Sequence, residues 1–178
     1  MHKQHTNQAP ANPTDAAHAN AMLRIVAKRS FATLATTSVA GWSHAAGVVY
    51  QAVDGDLWIH TTGASRKARN VATTGTVGVG IAFRRLPVGP PFTIHYQASA
   101  ELVAMDDPAA LRLIDSGAIK RVSGHGALEM ADGCFIRVAR PRKLHSYGPG
   151  ARIIDLIRDP LNNGAKSVSV PSIEGVVR

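Results

Sequence analysis

Asp54-Gly55-Asp56-Leu57-Trp58-Ile59-His60-Thr61-Thr62-Gly63-Ala64-Ser65-Arg66-Lys67-Ala68-Arg69-Asn70 carries a turn, a strand and a helix start in one short stretch. Asp-Gly is a dipeptide of tight hairpin turns, because both residues tolerate positive φ. Leu57 to Thr62 is rich in aromatic and β-branched residues and predicts a strand. Ser65 is a good N-cap, so a short helix is expected over Ser65–Thr73, with Gly75 as its C-terminal stop. Arg66 and Lys67 then fall in the first helical turn, where each exposed cation opposes the helix dipole by ~0.3–1 kcal/mol. Two readings fit this corner. One is a solvated basic helix face; the other is an anion site, in which a phosphate takes N–H bonds from the helix start and charge-assisted bonds from Arg66 and Lys67.

Outward from this stretch, the chain reads as short strands with few helices between them. A helix is predicted over Thr14–Arg29, with Ala19, Met22, Leu23, Val26 and Ala27 as its apolar stripe. Strands are predicted over Phe31–Thr37, His44–Gln51, Leu57–Thr62, Thr76–Arg84, Thr93–Met105, Cys134–Ala139 and Lys143–Tyr147. Leu86 to Pro91 reads as a loop. Asp107-Pro108 opens a helix that carries Leu111, Leu113 and Ile114, and a further short helix is expected over Ile153–Ile157. Connections this short favour antiparallel pairing, and a closed sheet removes exposed edges. The expected fold is mainly β, an antiparallel split β-barrel of about six to seven strands with a few flanking helices. Residues 1–13 read as a disordered tail and 14–158 as the domain; the tail over 159–178 is left without an assigned element.

The 178 residues, 45% of them hydrophobic, suit one globular domain. A single cysteine, Cys134, rules out an internal disulfide framework and fits a reducing compartment. The polar first residues lack the apolar core of a signal peptide, and no run approaches the ~18 apolar residues of a membrane span. A cytoplasmic protein is expected. The net charge is +8, and no acid lies between Asp56 and Glu101 or between Asp132 and Asp155. Both intervals are basic and attract anions, whether nucleotides, nucleic acid or acidic headgroups.

The sequence resembles the FMN-binding split β-barrel superfamily, which includes the pyridoxamine 5′-phosphate oxidases and the flavin or deazaflavin reductases. The resemblance rests on Phe31 to Thr36, His44 to Tyr50, Asp54 to Thr62, Ser65 to Asn70 and Val77 to Ile81. It covers residues 20–105 well and the remainder weakly. It implies that Ser65, Arg66 and Lys67 bind the phosphate of FMN, or of the deazaflavin coenzyme F-420, and that His60 and Thr61 contact the flavin or its phosphate. It implies further that Ala45, Ala46, Gly47, Val48 and Val49 lie along the flavin ring; the first three are small enough to let backbone approach a planar group. Gln97 matches a glutamine that reaches the cofactor across a subunit interface, so a homodimer holding cofactor between protomers is implied. The chain departs from the oxidases at Tyr50, where they carry a basic residue, and at Ile173 to Arg178, where they carry Arg-Leu-Ala-Pro. Vitamin B6 oxidation is therefore not expected. The activity implied is hydride transfer to or from a small organic substrate; the alternative is a non-catalytic flavin, deazaflavin or haem binding or storage protein.

Other features weigh less. His95 and His125 have no Cys, His or acid at zinc-site spacing, so no metal site is assigned. Ser123-Gly124-His125-Gly126 reads as a surface loop or an anion-binding turn. His145 and Tyr147 lie in a strand that would line a redox site, and Cys134 reads as a buried thiol. A nucleic-acid reading rests on the high pI and on Arg140-Pro141-Arg142-Lys143, but only nine aromatic residues are available for stacking and no binding motif is present.

Overall fold

A computed structural model describes residues 13–84, 92–149, 158–159 and 164–171. Helix α1 (Pro13–Lys28) is followed by strands β1 (Phe31–Thr37), β2 (Ser43–Val49), β3 (Gln51–Val53) and β4 (Asp56–Thr62). Helix α2 (Arg66–Thr74) precedes β5 (Thr76–Phe83) and the long β6 (Phe92–Ala104). Helices α3 (Pro108–Asp115) and α4 (Lys120–Ser123) and a 3₁₀ turn lead into β7 (Gly133–Val138), β8 (Lys143–Tyr147) and β9 (Ala165–Ser169). All pairings are antiparallel, in the order β2-β1-β5-β6-β7-β4-β3, with β8 also paired to β6 and β9 to β8. The expected antiparallel split barrel is the fold observed.

The chain crosses between the halves of the barrel at two places. β6 pairs with β5 over Phe92–Ser99 on one side. On its other side it pairs first with β8 and then, from Ala100, with β7. β7 and β8 run along the same side of β6, separated at Arg140-Pro141-Arg142. Pro141 lacks the N–H a ladder would need, which makes this the place to break it. The second crossing is at Tyr50. A single strand is expected over His44–Gln51, but the Tyr50 N–H makes the last bond along β1, to the Ser30 carbonyl at 2.8 Å, and Gln51 already pairs with Trp58 of β4. The chain thereby leaves β1 as β2 and joins β4 as β3.

Alternation fills the barrel. Leu34, Val48, Leu57, Ile59, Val79, Ile81, Ile94, Tyr96, Ile136 and Leu144 point inward and are buried. α1 packs Ala19, Met22 and Val26 into this core, against β9 and β3. α2 lies against β1 and β6, and buried Asn70 donates to Thr36 Oγ1 at 2.9 Å. A smaller cluster of Trp58, Val103, Ala110, Ile119, Val122 and Phe135 packs α3 and α4 on the outside of β4 and β7.

The hairpin turn forms as expected, with Asp54 at φ 52° and Gly55 at φ 92°. β9 is the main addition. It falls where no element is assigned from sequence, since Ala165–Ser169 is short and mostly polar, and the ladder to β8 holds it. α1 begins at Pro13, within the expected tail. Residues 1–12, the loop at Leu86–Pro91 and the helix expected over Ile153–Ile157 lie outside the described residues. Among the described residues, no helix is long and apolar enough to cross a membrane.

Tyr50 is fully buried, and its hydroxyl donates to the Val26 carbonyl at 2.7 Å, tying α1 to the barrel. Burial raises the phenol pKa well above its ordinary value. Tyr50→Phe removes this bond while the Val26 carbonyl keeps the Arg29 N–H at 3.1 Å, and should lower stability by about 0.5–1.5 kcal/mol, read by chemical denaturation. No change would mean that this bond does not anchor α1.

Candidate functional site

The first candidate region is the start of α2. Ser65 caps the helix, with extended backbone (φ −67°, ψ 150°) and its Oγ accepting the Ala68 N–H at 3.2 Å. Gly75 closes it in the left-handed region at φ 62°. Thr61 is buried at the end of β4, and its hydroxyl lies 3.1 Å from Ser65 Oγ. Arg66 is exposed and Lys67 half-buried; neither makes an ion pair among the described residues. Arg69 turns back to donate to the Ala64 carbonyl.

An anion already stands near this corner. Asp132, in the loop before β7, accepts the Ala64 N–H through Oδ2 at 2.9 Å, while its own carbonyl accepts from Gly63. Part of the unfavourable charge at the helix start is thus answered from within the chain. The backbone N–H groups of Arg66 and Lys67 still have no acceptor among the described residues, so two helix-start donors and two cations remain available to a ligand.

His60 and Thr61 are adjacent on β4 and therefore face opposite ways. Thr61 points toward Ser65, whereas His60 lies beside Phe135, ring centroids 5.8 Å apart, under the loop around Ala127 and Gly133. His60 Nε2 is buried without a partner, and burial lowers the imidazole pKa, with Lys67 acting in the same direction against the Ala127 backbone.

The second region is the outer face of the β2-β1-β5-β6-β8 sheet. Registers Thr33↔Gly47 and Ala35↔Ala45 place Ala45, Gly47 and Val49 on this exposed face, with Phe31 lying over Gly47. Ala46 and Val48 face the other way, and Val48 is buried. On the same outer face, a groove of about 670 Å³ is lined by Thr33, Ala35, Gly78, Gly80, His95, Gln97, Arg142, Lys143 and His145. Its floor consists of small residues, and its cations stand at one side.

Of the residues assigned from sequence, Gln97 lines this groove, and Ala45, Gly47 and Val49 continue its face. Ser65, Arg66 and Lys67 are not among its lining residues; within the chain the two groups are separate regions. The pair His95 and His145 is not visible in sequence. The residues are separated by a long stretch of chain, yet register pairs them directly, and their rings stack with centroids 5.3 Å apart and planes at 13°. No group of three or more His, Cys, Asp or Glu suited to a metal ion occurs among the described residues. Cys134 is half-buried rather than buried, and burial raises its thiol pKa.

The basic stretch at residues 140–143 is partly committed to structure. The Arg140 N–H and the Arg137 guanidinium donate to the two oxygens of Asp56, at 2.9 and 2.7 Å. The Arg140 side chain packs against Gly55 and donates to the Pro171 carbonyl. Only Arg142 and Lys143 of this stretch face the groove. Ser123 to Gly126 forms a turn between α4 and the 3₁₀ helix, with His125 exposed and in the left-handed region at φ 55°.

No protein-family model matches the sequence, and no curated protein matches it. Solved structures share its fold. The heme binding protein from Mycobacterium smegmatis aligns with a TM-score of 0.64 and 17% identity over 90% of this chain and 60% of its own. This chain thus spans less than two thirds of that protein. HutZ, the heme storage protein from Vibrio cholerae, aligns at 0.57 and 15% over 70% of this chain and 89% of its own. A FAD-binding protein from Mesorhizobium loti aligns at 0.59 and 15% over 72% and 90%. At these identities the likeness is one of fold.

The lowered pKa of His60 sets a pH dependence. The unfolded chain takes up this proton near 6.5, before the folded protein does, so His60 contributes stability above that pH and loses it as the pH falls. Thermal midpoints should drop between pH 7 and 5, and His60→Gln should flatten the drop; an unchanged slope would show that His60 stays accessible to protons.

Proposed function

We propose that this chain is a flavin-dependent oxidoreductase of the pyridoxamine 5′-phosphate oxidase-like split-barrel type, transferring hydride between FMN and a small organic substrate. The observation that carries the reading is the start of α2, where Arg66 and Lys67 offer side chains and N–H groups that have no partner among the described residues. A phosphate fits this donor set, since it accepts several hydrogen bonds and carries the charge that the helix pole lacks. The flat outer strip of Ala45, Gly47 and Val49 suits a planar ring, and proteins of this fold include FAD binders. In this scheme Ser65 holds the helix start in register and Arg66 and Lys67 anchor the phosphate. The Ala45–Val49 strand sets the plane of the ring. Gln97 serves a cofactor held by a second copy of the chain, so the working unit is a homodimer. Flavin, when bound, supplies the hydride chemistry, and the protein supplies position and dryness.

A second reading, a non-catalytic haem binder, is favoured by one observation: an imidazole, His145, lines the apolar groove beside Arg142 and Lys143.

The absorbance spectrum of the purified protein, followed by titration with FMN and F-420, tests the first reading. Tight FMN binding with flavin absorbance is expected; F-420 binding alone would replace FMN by the deazaflavin. Arg66→Ala combined with Lys67→Ala should weaken FMN affinity at least about tenfold, or ~1.4 kcal/mol, with the fold intact by circular dichroism. Unchanged affinity would remove the phosphate anchor from this corner.

A further inference from the structure

We propose that His145 is an axial ligand to the iron of a haem held in the groove over β5, β6 and β8, with Ser167 fixing the imidazole and Arg142 and Lys143 receiving the propionates. This rests on the haem-binding reading of the groove. Four observations carry it.

The first is the fixation of the ring. His145 Nδ1 lies 2.7 Å from Ser167 Oγ, on the neighbouring strand β9. With Nδ1–H as the donor, Nε2 keeps its lone pair free. Metal-binding histidines are commonly held in this way, with one nitrogen tied to an outer partner and the other left for the metal. The second is the neighbouring ring: His95 stacks on His145 with centroids 5.3 Å apart and planes at 13°, a contact that steadies the imidazole plane.

The third observation is charge. Arg142 and Lys143 line the same groove and repel a free divalent cation, while they pair readily with carboxylates. Two imidazoles without a neighbouring acid make a poor site for a bare metal ion. Iron that brings four ligands and two carboxylates of its own matches this mixture of groups. The fourth is shape. The groove, at about 670 Å³, lies within the usual range for a cofactor pocket of roughly 300–1,000 Å³. Ala35, Gly78 and Gly80 on its floor leave open space for a flat macrocycle.

The test titrates the full chain with ferric haemin, with metal-free protoporphyrin IX and with Zn²⁺. The wild-type protein is expected to bind haemin with a shifted Soret band and an imidazole-ligated signature in electron paramagnetic resonance. His145→Ala should lose that signature and weaken haemin binding about tenfold or more, while protoporphyrin binding stays unchanged. Ser167→Ala, which keeps the imidazole, should move the spectrum only part of the way. His95→Ala should retain the ligated signature. If His145→Ala keeps it, the ligand assignment falls while haem binding stands. If the wild-type protein binds no haemin, the haem reading falls with it. Zn²⁺ binding that depends on both histidines, in the absence of haemin binding, would overturn the proposal in favour of a bare metal chelate.

Discussion

Both halves of this barrel hang on one strand. β6 has to supply a ladder to β5 along its first part and, on its other side, to β8 and then β7. A strand that long stays straight enough only if the partner breaks where the two sheets diverge. Arg140-Pro141-Arg142 provides the break, because proline cannot donate to the ladder. The loosened backbone is then fastened by Asp56, which accepts from Arg140 N–H and the Arg137 guanidinium. The hairpin turn at Asp54-Gly55 presents Asp56 for this purpose. Turn, salt bridge and strand break are thus parts of one joint.

That joint changes the meaning of the positive charge. Arg137 and Arg140 are occupied within the fold, and the carboxylate of Asp132 stands beside the start of α2. Among the cations that face outward, Arg66 and Lys67 stand at one corner and Arg142 and Lys143 beside the groove, while Arg24, Lys28, Arg112, Lys120 and Arg121 are exposed on the helices.

Strand alternation does the rest of the sorting. On β1, β5 and β6 Leu34, Val77, Val79, Ile81, Phe92, Ile94 and Tyr96 point inward, while Thr33, Ala35, Gly78 and Gly80 face out, with Phe31 at the edge over Gly47. The same alternation that fills the core therefore leaves a smooth outer face. Onto that face β6 and β8 project His95, Gln97 and His145.

Much of the local structure is legible in the sequence. The Asp54-Gly55 turn, the Ser65 cap, the Gly75 stop and the alternation of β1 and β6 follow from steric and hydrogen-bonding preferences of neighbouring residues, and these act over a few positions. The antiparallel barrel follows from the short connections. The tertiary structure alone decided which strands meet. It split β2 from β3 at Tyr50, recruited the polar segment 165–169 as β9, carried Asp132 to the helix start and set His145 against His95. Each of these depends on contacts between residues far apart in the chain, whose registry is settled by packing the whole barrel and leaves no local trace in the order of the amino acids.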